Sequence, residues 1–352
     1  MPTPHDSLFR NVFSDPASAE AMFRGLLGEA VAAQIDWSSL TLRPGTFVDE
    51  DLAKRESDIL FSAELAGHPA LLYLLFEHQS TGDRWMPLRL LRYATRIWDG
   101  AVRERPPPKH LPVVIPCVLH HSNRGWREAV HLEELFDADA EAPEAPTDAE
   151  APEAPTVRVV DYVPRWRVAL YDVSHVSNDE LRSRFQSAYV RMVLASLRDS
   201  RRLPRGGADR EALAAWLERV RDWLEPLLAD AYSREATFVV MRYLFQVIDG
   251  RAVFYETVRQ VMGTESEQKF RSLWDEAIDE GLAKGRVEGR VEGRVEGTLL
   301  GRRSTLGKLI QLRFGPLTPA TEARLEAADE ATLERWTEHI LTAASLDEIL
   351  AS

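Results

Sequence analysis

The chain has 352 residues, 45% of them apolar and 28% charged, with a net charge of −13. That composition excludes a collagen-like, disulfide-stapled or wholly disordered chain and predicts roughly two to three globular domains. The acidic balance also excludes the broad basic footprint of a tight nucleic-acid binder, so any such contact must rest on local arginines or on cations held by acids.

No stretch approaches the ~18 consecutive apolar residues of a membrane span. The opening MPTPHDSLFRNVF lacks a basic region followed by an apolar core, so no secretory signal is expected. The single cysteine, Cys117, lies inside VVIPCVLHH and reads as a small hydrophobe. A lone thiol excludes a disulfide framework and favours a cytoplasmic location.

Residues 5–30 show helical spacing, with Leu8, Val12 and Phe13 and then Ala19, Met22, Phe23 and Leu26, broken by Asp15-Pro16. Residues 46–64 read as extended: in SDILFSAEL, Ile59, Phe61 and Ala63 alternate with Asp58, Leu60 and Ser62. A turn over Ala66–Pro69 leads into LLYLLFE, an apolar run that predicts a central strand buried on both faces. Pro87 suits a first helical turn, and MPLRLLRYATRIWDG continues as helix, with Leu88, Leu91 and Trp98 expected inside. LPVVIPCVLHH and WRVALYDVS predict two further strands. The order predicts an α/β fold with a mixed sheet flanked by helices. Residues 138–156, built on EAPEAPT, carry six acids and no base and read as an extended surface insertion. Residues 178–282 are helical in pattern, and 301–351 form a compact helical tail.

A turn centred on Gly67-His68 would pair residues whose numbers sum to 135, placing Asp58 directly opposite Glu77. Directly opposed residues have Cβ atoms about 4.5–5.5 Å apart. Two carboxylates at that distance repel unless a cation lies between them. Gln79, two residues beyond Glu77, falls on the same face, and His78 on the other. Mg²⁺ suits such hard oxygen donors while keeping several waters. Gln79 would orient water or contact a phosphate. The plainer alternative is a surface Asp58 and a Glu77 paired with an arginine. On the following helix Arg89, Arg92 and Arg96, with Tyr93 among them, make a stripe suited to phosphate contacts or to ordinary ion pairs in solvent.

HDSLFRNVFSDPASA, SDILFSAEL, LLYLLFEHQS, MPLRLLRYATRIW and LPVVIPCVLHHSNRGW together resemble the Rpn (recombination-promoting nuclease), YhgA-like putative transposase family of the PD-(D/E)XK nuclease superfamily. The resemblance spans about residues 5–175 without the acidic insertion. It implies a restriction-endonuclease-like core and metal-dependent DNA cleavage. It also implies that Asp58 and Glu77 are metal ligands, with Gln79 standing where the superfamily usually has lysine. Losing that ammonium removes a charge able to stabilise the transition state. Asp6, in the opening H-D-x-L-F, matches an acid often seen there, either a further metal ligand or a helix N-terminal charge. The last 50 residues resemble a helical domain of unknown function that follows such nucleases, with L-x-x-R-F-G-P-L and L-x-x-W elements.

His120-His121 ends a strand near this edge, as a general base, a phosphate contact or structural histidines. Seven arginines fall within residues 182–205 and could face DNA, solvent or acids. No phosphate-cradling glycine motif for nucleotides is present. The GRVE repeats at 285–297 separate Arg and Glu by 2 or 6, so i,i+4 ion pairs do not form. A glycine at every fourth position costs about 1 kcal/mol each relative to alanine. A partner helix packed on the glycine and valine stripe would offset this, which points to a homodimer; a flexible tether is the alternative.

The expected domains are a nuclease domain at 1–200, a helical region at 201–284, the repeats at 285–297 and a helical C-terminal domain at 298–352. The expected function is a Mg²⁺-dependent endodeoxyribonuclease, with Mn²⁺ as substitute, cutting double-stranded DNA. The alternative is a catalytically degenerate DNA-binding or protein-interaction module with a nuclease fold.

Overall fold

The computed structural model describes residues 3–43, 58–77, 82–137, 162–200, 202–203, 210–229, 233–248 and 250–351. Within elements, the side chains of 77, 284, 287–288, 291–293, 295–296 and 351 fall outside this set. Gln79, His78 and the acidic insertion at 138–156 also lie outside the described residues. The chain divides by packing into two units, Met1–Leu273 and Trp274–Ser352.

The first unit opens with α1 (Pro4–Phe13), α2 (Pro16–Leu27) and a single turn, α3 (Glu29–Ala32). The break expected at Asp15-Pro16 is a helix start: Pro16 needs no amide donor, and the Asp15 carboxylate accepts the Ser18 amide at 2.9 Å. A five-stranded sheet follows in sequential order β1 (Ile35–Arg43), β2 (Asp58–Leu65), β3 (His68–Glu77), β4 (Val113–His120), β5 (Ala169–Asp172). The first two pairings are antiparallel and the last two parallel, so the sheet is mixed. The β3–β4 connection contains α4 (Met86–Arg103), as a parallel crossover requires.

β3 is central and buried along its apolar run, as LLYLLFE predicts. On one face Ile59, Phe61, Leu72 and Phe76 meet α1 and α2, with Phe9 stacked on Phe76 at 5.1 Å and Phe23 edge-on to Phe61 at 5.9 Å. On the other face Leu60, Tyr73, Leu75 and Val118 pack with Met86, Leu90, Tyr93, Ala94 and Ile97 of α4. Leu88 and Leu91, expected inside, are only half-buried, because the inward stripe of α4 runs through Leu90, Tyr93 and Ile97 instead. β1 is a strand that the alternation does not announce; its pairing with β2 shifts register between Asp36 and Thr41, so no single period of two runs along it.

Helices α5 (Asn178–Arg184), α6 (Ala188–Asp199), α7 (Arg210–Ala229), α8 (Arg234–Ile248) and α9 (Arg251–Met262) complete the first unit. Trp216 and Trp223 are buried among them. Helix α10 (Thr264–Phe314) carries the GRVE repeats in helical backbone. In the second unit α11 (Pro319–Ala327), α12 (Glu330–His339) and α13 (Leu346–Ala351) close on Leu306 and Ile310 around a core with Leu333, Trp336 and Ile349. The R-F-G-P segment is a helix stop: Gly315 at φ 93° leaves the helix after Phe314, and Pro316 cannot continue it.

The β2–β3 hairpin corrects the expected register. Ala66 (φ 50°) and Gly67 (φ 77°) form a two-residue loop, with Leu65 opposite His68. Positive φ at both loop positions matches the twist of the flanking strands. The loop therefore closes one residue earlier than a turn on Gly67-His68. Asp58 pairs with Leu75, and Glu77 lies one diagonal beyond it. Asn tolerates left-handed backbone better than alanine, so Ala66→Asn should raise stability by up to about 1 kcal/mol and Ala66→Val should lower it by about 1–2 kcal/mol. Urea midpoints with unchanged slopes would report both.

Candidate functional site: the carboxyl edge of β3, β4 and β5

The strands bring a row of polar residues to one edge of the sheet. Glu77 pairs with His120, and His120 with Asp172, each the last residue of its strand. Asp58, the first residue of β2, runs antiparallel to β3 and so reaches the same edge. Alternation assigns Asp58, Tyr73, Glu77, His120 and Asp172 to the face that α4 covers. Diagonal neighbours across an antiparallel pair are about 7–8 Å apart at Cα. Asp58 and Glu77 thus share a face and an edge, with a wider backbone spacing than direct opposition would give.

Asp58 is half-buried, and Tyr73 Oη donates to its Oδ2 at 2.6 Å. Burial, and then the charge of Asp58, hold the Tyr73 phenol well above its ordinary range, while Arg89 pulls the other way. Tyr73 thus stays protonated and donates to the Asp58 carboxyl group. Sequence reasoning missed it, although Tyr73 has the same parity as Leu75 and Glu77 on the central strand. Arg89 also pairs with Asp83 at 2.9 Å. Arg92 and Arg96 are exposed, whereas Tyr93 turns inward, its ring centroid 5.6 Å from that of Tyr73. The stripe on α4 is therefore three arginines over a buried tyrosine.

Asp6 closes a capping box at the start of α1, accepting from Thr3 Oγ1 at 2.7 Å and from the Thr3 amide at 3.2 Å. This is the helix-terminal role, made with one carboxylate oxygen. The same turn comes close to β4: His5 bonds Tyr243 Oη through Nδ1 at 2.8 Å, and its ring lies 6.4 Å from His121. His121 is buried, with Nε2 3.2 Å from the Arg198 carbonyl. His120 is also buried; its Nε2 is 2.9 Å from Ser122 Oγ, and its ring meets Trp126 edge-on at 5.0 Å. Cys117 is buried and burial pushes its thiol up, in keeping with a packing role.

Asp172 is the second residue that sequence reasoning missed. Its Oδ2 accepts the Trp126 amide at 2.6 Å, and its Oδ1 accepts the amide and hydroxyl of Ser174 at 3.0 and 2.5 Å. Burial alone would push its pKa up, but these bonds and the charge of His120 hold it below the ordinary carboxylate value. The loop after β4 reaches Asp172 through Gly125, at φ 71°, where a Cβ would stand 2.9 Å from Oδ2. A strand-terminal acid in ALYD was the only trace of this role in the sequence.

Among the described residues no three His, Cys, Asp or Glu side chains are grouped closely enough to hold a metal. The Glu77 side chain and Gln79 stand outside that search. The donor chemistry of the edge is oxygen-rich and acidic, with Asp58 half-buried at its start, which fits a hard divalent cation.

The profile of the family described as "Putative transposase, YhgA-like" matches residues 3–206. Recombination-promoting nuclease RpnA of Escherichia coli (strain K12) is 33% identical over 119 residues, 34% of this chain and 40% of that protein. Recombination-promoting nuclease RpnD of Escherichia coli O157:H7 is 34% identical over 122 residues, 35% and 46% of the two chains. A third relative, at 30% identity over 122 residues and 34% and 39% of the two chains, is named inactive recombination-promoting nuclease-like protein RpnE of Escherichia coli (strain K12). The matched segment thus spans less than half of each of these three relatives. No solved structure matches the chain.

The Asp172 carboxylate makes a pH-dependent contribution. Its folded pKa lies below its unfolded value near about 3.9. The stabilisation is complete above the unfolded value and is lost as pH falls through the folded one. Asp172→Asn should cost about 1–2 kcal/mol at pH 7 by turning an amide donor toward the Trp126 N–H. The gap from wild type should narrow in denaturation curves as pH is taken progressively below the unfolded value.

Proposed function

The chain belongs to the YhgA-like putative transposase family, and from that membership we propose that it is a metal-dependent endonuclease hydrolysing DNA phosphodiesters. The observation that carries this reading is the pair Asp58 and Glu77, on one face of adjacent strands at a single sheet edge, in a family with relatives named nucleases. The core is read as restriction-endonuclease-like.

Asp58 and Glu77 are the proposed holders of Mg²⁺, or Mn²⁺ in its place, with Asp6 a further oxygen donor from α1. Bound there, the ion would supply Lewis acidity and a water of lowered pKa. Tyr73 fixes one Asp58 oxygen by its hydrogen bond and so aims the carboxylate. Gln79 orients the attacking water or the phosphate by hydrogen bonding. Arg89, Arg92 and Arg96 hold the DNA backbone from α4, and Tyr93 supports them from beneath by packing on Tyr73. The substrate is double-stranded DNA.

A homodimer through the helical C-terminal part would suit cutting both strands. At Gly281, Gly285, Gly289, Gly297 and Gly301 an added Cβ would meet nothing within 4 Å, which leaves close approach open to a second helix. No helix among the described residues is long and apolar enough to cross a membrane. The protein is read as cytoplasmic. A second reading, a degenerate binding module, is favoured by Gln79 in place of lysine and by the relative named inactive.

Plasmid nicking by purified protein in Mg²⁺ or Mn²⁺ tests the main reading. Wild-type cleavage is expected to fall at least about 100-fold in Asp58→Ala and Glu77→Ala, the scale of a lost transition-state stabiliser. Cutting that persists in both variants sinks the assignment; a wild type that binds DNA but never cuts it supports the second reading. Sedimentation equilibrium of the full chain is expected to return twice the single-chain mass, and a single-chain mass at tens of micromolar would remove the dimer.

A further inference from the structure

Two residues beyond the carboxyl end of β5 lies a cavity of about 610 Å³, lined by Ser174, His175, Arg182, Arg198, Arg202 and Arg219 among others. We propose that this cavity is a second phosphate-binding subsite, which seats a backbone phosphate of the DNA duplex held at the neighbouring edge. The inference rests on the endonuclease reading for its ligand, and on the cavity's own charge for its chemistry.

Asp199 is the one acid of the lining, and it is consumed. Arg198 donates to its two oxygens at 2.9 and 2.7 Å, and Trp216 Nε1 adds a third bond at 3.0 Å. Arg198 is itself locked, with a side chain only 7% exposed, donating also to the Val176 carbonyl and to Asn178 Oδ1 at 2.8 Å each. The pair is a fixed wall of no net charge. Arg182 divides between Asp179 and Asp222, both exposed, and contributes little. Arg202 and Arg219 are exposed, and their guanidinium groups have no acidic partner among the described residues. Two uncompensated cations thus face a cavity whose only acid is already neutralised. That arrangement attracts an anion with several acceptor oxygens, and guanidinium matches a phosphate by paired N–H donors.

The position connects the cavity to the candidate site. Ser174, in its lining, bonds Asp172 at the edge, and Gly125 of the loop after β4 approaches His175. His121 of the same loop reaches the Arg198 carbonyl. Side-chain contacts therefore tie the cavity to the ends of β4 and β5, which is where the duplex of the endonuclease reading would lie. With an overall charge of −13, phosphate is gripped by local groups of cations such as this one, not by a broad basic surface.

The test is binding of a fluorescent 24-base-pair duplex by the full chain in EDTA, so that cleavage cannot enter, across a salt series. Arg202→Ala/Arg219→Ala should bind about 10-fold to 100-fold more weakly at 100 mM salt, with the slope of log K against log salt shallower by about 2. Arg221→Ala, which removes an arginine of α7 already paired to Glu225, should change binding much less. An equal loss in Arg221→Ala assigns the effect to net charge and overturns the subsite. Wild-type binding that the double variant retains overturns it while leaving the endonuclease reading intact. Loss of binding in the double variant, with no cleavage by wild type in Mg²⁺, keeps the subsite and removes the nuclease. No binding by wild type overturns the subsite and leaves the endonuclease reading to the plasmid assay in Mg²⁺. Thermal stabilisation of wild type but not the double variant by inorganic pyrophosphate, with DNA binding unchanged, reassigns the cavity to a small free phosphate and overturns the proposal.

Discussion

The positive φ angles of Ala66 and Gly67 set the geometry on which the candidate site depends. A side-chain period of two makes register and facing inseparable along a hairpin. A loop closing at residue 67 brings Asp58 against Leu75, with Tyr73 and Glu77 as its diagonal neighbours. Tyr73 is then within reach of Asp58, and the carboxylate has a fixed donor. A single-residue slip would have put Asp58 on the opposite face from Glu77. The central strand resists that slip because β3 is buried on both sides and pairs along its length with β4.

Most of the architecture was legible because its apolar patterns are long. LLYLLFE and VVIPCVLHH are unbroken apolar runs, and the helices at either side of Asp15-Pro16 carry a helical period. What was hidden had a local cause. Alanine rarely enters left-handed backbone, so nothing in AGHP marks Ala66 as the first loop position. β1 escaped because its register shift breaks the alternation that would have revealed it. Asp58 and Glu77 were singled out from pattern and resemblance together, but the pattern set them directly opposite, a register the hairpin does not adopt. Tyr73 and Asp172 were not singled out, because each does its work through a contact that only the assembled sheet creates.

The edge and the cavity beside it hold acids in three different conditions. Asp58 has one oxygen engaged by Tyr73. Asp172 has both oxygens occupied by backbone and hydroxyl donors, so it fastens the loop after β4 to β5. Asp199 is closed off by arginine and tryptophan. Equal formal charges therefore do unequal things, and counting acids and bases along the chain says little about where an anion or a cation can sit. Burial and partner count decide it.

The interrupted pairing of β1 bears on how copies of the chain can meet. An outer strand with an even ladder is a template onto which another sheet can grow. Here the outer strand is kinked between Asp36 and Thr41, and Asp36 and Arg43 place opposite charges toward its two ends. At the other side of the sheet, β5 offers only four residues. Among the described residues, growth of the sheet by added strands is disfavoured at both borders.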